Sequence, residues 1–152
     1  MLLPYIDFNT NELNINRLLN GVTMALSMNF TIEADVDRRL ISEKIYGIWK
    51  KETAIEYHNE FVKTAEPLIK GEWAKLINLG NWKTSYPEVV EIIGDHLHWC
   101  KENGMVLSVN VIENPITFNQ LRRMFEHGGT ADISKVVKTL HEGERLLREN
   151  GF

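Results

Sequence analysis

Two histidines and a cysteine lie close together in the sequence, at His96, His98 and Cys100. If this segment is helical, His96 and Cys100 share one face because residues four apart lie one above the other, whereas His98 points away. Two ligands do not complete a structural zinc site, and no C-x-x-C or H-E-x-x-H motif supplies the others. We therefore expect no metal, and interpret the pair as a buried free cysteine beside a surface histidine.

The motifs of the large enzyme classes are absent from the sequence. There is no G-x-S-x-G, Walker A or G-x-G-x-x-G motif, and Gly128-Gly129-Thr130 is typical of a turn between helices. A hydrolase or transferase would need a cleft that holds His58 or His127 against a carboxylate. We predict a non-enzymatic protein with no catalytic residues and no cofactor.

Composition and charge exclude several classes of partner. The chain has 152 residues with 17 basic and 21 acidic side chains, a formal charge of -4, and it lacks the clustered basic residues that bind nucleic acid. The longest uncharged stretch, 18–32, is too short to span a bilayer. The start of the sequence has no basic residues of the kind that open a secretory signal, and the single cysteine cannot form an internal disulfide. We expect one cytoplasmic domain with no nucleic-acid or membrane partner.

The first 27 residues differ from the rest of the chain. They are rich in asparagine, and the apolar residues Ile15, Leu18, Leu19 and Val22 recur at helical intervals. The spacing allows a short helix over about 11–26. We predict that residues 1–27 are an extension, partly helical or disordered, and that residues 28–152 form the folded domain.

Strand and helix patterns take turns after residue 30. Alternating apolar residues predict strands at about 30–36, 40–46, 73–79 and 105–112, the first two forming a hairpin. Helical periodicity predicts helices at about 53–68, 85–103, 117–128 and 132–150, two of them opened by the capping boxes Ser85–Glu88 and Thr117–Gln120. This order, ββαβαβαα, predicts an α/β fold with a four-stranded mixed, mostly parallel sheet and helices packed on it.

Aromatic residues cluster in the sequence where two of these strands are predicted to end. Trp49 follows the second strand, and Trp82 and Tyr86 flank Thr84 and Ser85 in a polar predicted loop. The carboxyl ends of parallel strands form the usual ligand crevice of such sheets. We predict that Trp49, Trp82, Thr84, Ser85 and Tyr86 form a contact surface for a partner. The alternative is that these rings cover the end of the sheet or pack on the N-terminal extension.

The order of elements resembles the STAS domain, also called the SpoIIAA-like or anti-sigma-factor antagonist fold, in its uncharacterised bacterial subgroup. The resemblance covers about residues 28–152 and includes the strand, loop and capped helix at Lys75 to Val90. In that family a Ser or Thr of an Asp-Ser-Ser/Thr-Gly motif is phosphorylated by a partner kinase. The matching stretch here is 79–87, which has no Asp before the hydroxyl residues and no Gly after them. The resemblance implies Ser85 or Thr84 as the phosphosite, whereas the capping box assigns Ser85 a plain helix cap.

The leading functional hypothesis is a regulatory module that binds another protein and forms a homodimer. The alternative is a module that binds a small molecule or lipid between sheet and helices. That alternative predicts a cavity on the order of several hundred Å³. We expect such a cavity to be lined by residues such as Phe61, Leu76, Val109 and Met124.

Overall fold

The computed structural model describes residues 5–6, 15–16 and 21–152, which form eight strands and four helices. The strands β1–β8 are Tyr5–Ile6, Ile15–Asn16, Val22–Leu26, Phe30–Asp35, Leu40–Trp49, Trp73–Ser85, Met105–Val111 and Ser134–Val137. The helices α1–α4 are Lys51–Ala65, Pro87–Glu102, Pro115–Gly128 and Leu140–Glu149. No helix in these ranges is both long and apolar enough to cross a bilayer.

The main sheet contains β3 to β8 in the order of the sequence. Strands β3, β4 and β5 pair antiparallel, and β5, β6, β7 and β8 pair parallel. Trp73 of β6 faces Met105 of β7, so the two predicted central strands are neighbours. The predicted mixed α/β sheet is confirmed, but it has six strands where four were predicted.

One added strand lies in the N-terminal segment. The predicted helix over 11–26 is wrong for its described residues, because Ile15–Asn16 and Val22–Leu26 are strands. In β3, every residue pairs with the next strand, β4, and this hairpin pairing outweighs the helical spacing of the apolar residues. The remainder of that prediction lies outside the described residues. The division of the chain at residue 27 stays a prediction. Strand β3, which precedes residue 27, is an edge strand of the main sheet.

The second added strand lies within the predicted last helix. Residues Ser134–Val137 pair parallel with β7, and α4 begins only after Thr139, whose side chain accepts a hydrogen bond from the Glu142 backbone. The apolar residues of this strand fit a helical period that runs on into α4, so periodicity alone merges the two elements.

Two layers of helices cover the sheet. Helices α1, α2 and α3 pack on one face over the larger hydrophobic core, which contains Phe61, Trp73 and Leu97. Helix α4 packs on the other face, where Leu147 lies against Val109 and its neighbours. Strand β7 contributes to both cores because successive side chains of a strand point to opposite faces.

Helices α2 and α3 approach each other through glycines. A Cβ atom on Gly128 would lie 2.6 Å from the carbonyl oxygen of Gly94, and one on Gly94 would lie 2.3 Å from the His127 ring. Both contacts are too short for a larger side chain, so this crossing depends on the two glycines. It holds α3 against the end of the sheet at which the candidate site lies.

Candidate functional site

The predicted contact residues lie at the carboxyl ends of two parallel strands. Trp49 ends β5 and Ser85 ends β6, and the two residues are register partners. Strand β6 runs from Trp73 to Ser85, so the polar loop predicted after residue 79 is part of the strand. The five predicted residues are brought together, but not all on the surface.

Three of the five side chains are buried. Trp49, Trp82 and Ser85 are at most 6% exposed, which corrects the prediction that they form a contact surface. The Trp82 indole N–H donates to Ser85 Oγ at 3.0 Å, and the Trp49 indole N–H donates to the Tyr46 carbonyl at 3.1 Å. Each indole therefore has a hydrogen-bond partner inside the domain, which makes burial of the ring favourable. Of the two predictions for these rings, covering the sheet end fits their position.

The predicted capping boxes are both wrong. The N-cap of α2 is Tyr86, which provides no side-chain cap, while the Ser85 hydroxyl accepts the Trp82 N–H instead. The N-cap of α3 is Asn114, whose side chain accepts from the Ile116 backbone, and Thr117 lies inside the helix. Asn114 precedes Pro115, a strong sequence signal for a helix start.

The other two predicted residues remain accessible on a surface that we call the edge patch, made of Ile48, Thr84, Tyr86, Ile116 and Gln120. Ile48 pairs with Thr84 across β5 and β6, and the Gln120 amide donates to Thr84 Oγ1 at 3.1 Å. Ile116 precedes Gln120 by one helical turn. Ile48, Tyr86 and Ile116 are 49%, 48% and 74% exposed, and Thr84 is half-buried. The patch is therefore apolar around a small polar centre.

Beneath the edge patch lies a small space that we call the core cavity. Its volume is about 50 Å³, and it lies between the sheet and α1–α3. Trp49, Trp82 and Ser85 line it together with Lys75, Asn110 and Met124. The cavity is smaller than predicted, and of the four lining residues predicted for it Met124 alone lines it. Leu76 and Val109 belong to the core under α4.

A buried polar cluster of Glu43, Tyr57 and Lys75 lies beside this cavity. Lys75 Nζ is 3.1 Å from Glu43 Oε2, an ion pair that lacks the alignment of a hydrogen bond. The Tyr57 hydroxyl donates to Glu43 Oε1 and accepts from Lys75 Nζ at 3.4 Å. Lys75 Nζ also lies 4.8 Å from the centre of the Phe61 ring, a cation–π contact. Both charged side chains are at most 1% exposed, so the cluster is neutralised internally.

His96 and Cys100 form a second buried group next to the first. The predicted surface position of His96 is wrong, because the residue is 1% exposed and packs edge-on against Tyr57 and Phe61. Its Nδ1 lies 3.0 Å from Nδ1 of His58, and its Nε2 lies 3.5 Å from Cys100 Sγ. The shared helix face of His96 and Cys100 and the burial of the thiol are as expected.

Burial is the largest cause of the pKa shifts in these two groups. It lowers the pKa of His96 well below 6.5, and the nearby charges of Lys75 and His58 lower it further. Burial also raises the pKa of Cys100 to about 12 and raises that of Tyr57 well above 10, the latter with the Glu43 carboxylate adding to it. At neutral pH the imidazole of His96 is neutral and the thiol keeps its proton, which is unsuited to a nucleophile.

Of the two histidines named as candidates for a catalytic cleft, His127 meets a carboxylate on the surface. His127 Nε2 lies 3.0 Å from Asp95 Oδ1, and the two side chains are 39% and 75% exposed. This contact joins α2 to α3 and lies outside the core cavity. Within the part of the chain that the structure describes, no three His, Cys, Asp or Glu side chains gather closely enough to hold a metal ion.

Glu43, Lys75 and Asn110, which bring polar atoms into the core, were not predicted from the sequence. A signal for the first two was present in the strand alternation. Glu43 falls on the same face as Ile41 and Ile45, and Lys75 falls between Trp73 and Ile77. A charged residue on the apolar face of a strand indicates a buried pair, since an unpaired buried charge is costly.

Comparisons with known proteins agree with this architecture at the level of the fold. The structure of the Bacillus cell fate determinant SpoIIAA in its phosphorylated form matches with a TM-score of 0.53 and 14% identity, over 78% of this chain and 99% of that one. The anti-sigma factor antagonist SpoIIAA in its unphosphorylated form matches with a TM-score of 0.54 and 13% identity, over 79% and 96%. The NMR structure of TM1081 matches with a TM-score of 0.53 and 11% identity, over 97% and 98%.

Sequence comparisons are less informative. No family model matches the chain. MLP-like protein 165 of Arabidopsis thaliana is 22% identical over 111 residues, which is 68% of this chain and 72% of that protein. The structural likenesses define the class: this chain has the STAS/SpoIIAA-like α/β fold, as the resemblance in the sequence predicted.

Proposed function

We propose that this chain is a regulatory module that acts by binding another protein, as the SpoIIAA-like fold suggests. The observation that carries the proposal is the edge patch, where Tyr86 and Ile116 expose apolar surface around Thr84. Exposed apolar residues gathered around a polar centre are typical of protein contact sites. The patch also lies at the carboxyl ends of parallel strands, where such folds place their sites.

Within this proposal, Thr84 and Tyr86 contact the partner. The buried residues Trp49, Trp82 and Ser85 do not touch it, and they fix the ends of the two strands that carry the contact residues. The Tyr86 backbone N–H donates to the Trp49 carbonyl at 3.0 Å, and the Ser85 backbone N–H donates to the Gln120 side chain at 3.0 Å. The buried residues therefore hold the chain that carries the exposed ones. We further propose a homodimer, which the adduct mass in the experiment below tests. From the charge and motif content given above, we also propose a cytoplasmic protein without catalytic chemistry, cofactor, nucleic acid or membrane partner.

A photo-crosslinking experiment tests the contact surface. A benzophenone amino acid replaces Ile116 in the edge patch, or Val106, which is exposed at the opposite, amino-terminal end of β7. We expect irradiation in the native host to give one discrete adduct from position 116 and none from position 106. We also expect Tyr86→Ala to abolish the adduct from position 116. An adduct of twice the chain mass assigns the surface to the homodimer, and equal labelling from both positions would contradict the proposal.

Phosphorylation is proposed at Thr84 in preference to Ser85. Thr84 is half-buried, with its hydroxyl reached by the Gln120 amide, whereas Ser85 is 5% exposed and its hydroxyl holds Trp82. A phosphate on Thr84 would add about two negative charges close to the N-terminus of α2 and displace Gln120. Phosphopeptide mapping of protein from its native source tests this. A phosphate on Thr84 supports the proposal, and a phosphate on Ser85 or on neither residue contradicts it.

A further inference from the structure

Helices α1 and α2 leave an open groove of about 330 Å³ between them, which we call the α1–α2 groove. The two helices start side by side, because Trp49 before α1 and Ser85 before α2 are register partners. They still touch about two turns further on, where the His58 and His96 rings meet, so they run in the same direction. The groove shares no residue with the edge patch. Its lining consists of Ile55, His58, Ile92, Asp95, His96 and Trp99.

The tryptophan in this groove differs from the other three of the chain. Trp49, Trp73 and Trp82 each donate the indole N–H to an oxygen inside the domain. Trp99 is half-buried and packs edge-on against His58, and its indole N–H has no acceptor within the ranges that the structure describes. A half-buried tryptophan that keeps a donor for another molecule is typical of the centre of a protein interface.

The two helices that form the groove account for the net charge of the whole chain. The chain has 17 basic and 21 acidic side chains, and α1 and α2 hold three of the basic and seven of the acidic ones. Fourteen of each sign remain elsewhere and balance. Of the three lysines, Lys63 pairs with Glu60 and Lys101 pairs with Asp132. The third, Lys51, is the first residue of α1.

Acidic side chains lie beside the apolar lining of the groove. Glu52 is three residues before Ile55 on α1, and Glu91 is four residues before Asp95 on α2, so each lies one turn along the same helix face. Asp95 is shared with His127 of α3, whereas no basic side chain in the described ranges forms an ion pair with Glu52 or Glu91. The groove therefore has an apolar floor and an acidic rim.

We propose that the α1–α2 groove binds an amphipathic helix of a partner protein, with the apolar residues of that helix in the groove and its lysines or arginines against the acidic rim. The walls of the groove are helices, whose backbone groups are bonded internally. They offer no partners to the backbone of an extended peptide, whereas a helix satisfies its own. Helices commonly dock into apolar grooves through residues at positions i, i+3, i+4 and i+7. The acidic rim disfavours nucleic acid and anionic membranes.

Two synthetic peptides test the chemistry of this occupant on the full chain. One, of about 18 residues, has leucines at helical spacing on one face and lysines on the other, and in its counterpart glutamate replaces every lysine. Calorimetric titration should show the lysine peptide binding at least about tenfold more tightly, and added salt should weaken it. In NMR spectra the lysine peptide should shift the indole N–H signal of Trp99 more than those of the other three tryptophans.

Variants separate docking in the groove from general attraction to an acidic chain. Ile55→Glu adds a charge that attracts the lysine peptide but removes apolar contact from a residue that is 42% exposed, and we expect about a tenfold loss of affinity. Ile116→Glu makes the same change in the edge patch and should have no effect. Glu91→Lys should weaken binding severalfold, whereas Glu113→Lys, exposed outside the groove, should not.

Three results would overturn the proposal. Equal affinity for the two peptides would refute the charge complementarity. Binding that is unchanged or tighter in Ile55→Glu would show attraction without the groove. A wild-type dimer that Ile55→Glu dissociates in sedimentation experiments would show that the groove holds a second copy of this chain and not a partner helix. The proposal does not depend on the edge patch, since Ile116→Glu tests that surface separately.

Discussion

Removing the buried lysine should destabilise the domain more than any surface change. In Lys75→Met the Glu43 carboxylate, which is fully buried, loses the ammonium 3.1 Å away and keeps the Tyr57 hydroxyl as its remaining donor. Breaking one side of a buried ion pair costs about 3–5 kcal/mol. Because Tyr57 still serves Glu43, we expect a loss near about 3 kcal/mol, the lower end of that range. Against a total stability of about 5–15 kcal/mol, such a loss is easily measured by urea denaturation.

The matched control is Lys44→Met, the residue after Glu43 on β5, which is exposed on the other face of the sheet and should change stability by less than about 0.5 kcal/mol. The double variant Lys75→Met/Glu43→Gln removes both charges, and the new amide oxygen at position 43 can still accept the hydrogen bond from the Tyr57 hydroxyl. It should be more stable than Lys75→Met alone by about 1–2 kcal/mol. A loss below about 1 kcal/mol in Lys75→Met, or a double variant that loses the sum of the two single losses, would refute the reasoning.

Two further predictions concern the helices that cover the site. The pKa of His96 is lowered in the folded state, so on acidification the unfolded chain binds a proton at this residue before the folded chain does. The free energy of unfolding should therefore be unaffected by His96 above about pH 6.5 and should fall as the pH drops below that value. Chemical denaturation at several pH values should show this slope in the wild-type chain and a weaker one in His96→Phe, and equal slopes would contradict it. Gly128→Ala should cost about 1–3 kcal/mol, since its Cβ would lie 2.6 Å from the Gly94 carbonyl oxygen. Gly71→Ala, with no atom within 4 Å of the new Cβ, is the control, and equal melting temperatures would contradict the prediction.

Local patterns in the sequence predict most of the central sheet. The alternation in Phe30–Asp35 specifies a strand with one face buried in a core. The β-branched run in Met105–Val111 specifies a strand that is buried on both faces. The order of strands and helices then leads to the parallel arrangement, since crossovers are right-handed and short connections join neighbours. The edge strands were missed because both are short. The apolar residues of Val22–Leu26 also fit a helical spacing, and Ser134–Val137 pairs with a strand distant in the sequence.

The position of the candidate site in the fold was predicted, but the burial of its side chains was not. The sequence placed Trp49, Trp82 and Tyr86 at the ends of parallel strands, where the structure has them. It could not show that the first two rings point inward, because their burial depends on where α1 and α3 lie; Trp49, for example, packs against Tyr57 of α1. Helix α3 reaches this end of the sheet through the Gly94–Gly128 contact and through the bonds from Gln120 to Thr84 and Ser85. These are contacts between segments distant in sequence, and no local pattern reports them.

The buried polar cluster shows the same limit in its sharpest form. Strand alternation places Glu43 and Lys75 on the covered face, but their separation depends on the register of β5 against β6. In the observed register Lys75 lies opposite Ile41, and Glu43 lies opposite Ile77, so the pair meets diagonally. A slip of one residue would move one charge to the opposite face and leave the other unpaired in the core. The ion pair therefore adds specificity against a one-residue slip even where it adds little stability, since that slip leaves a buried charge without its partner.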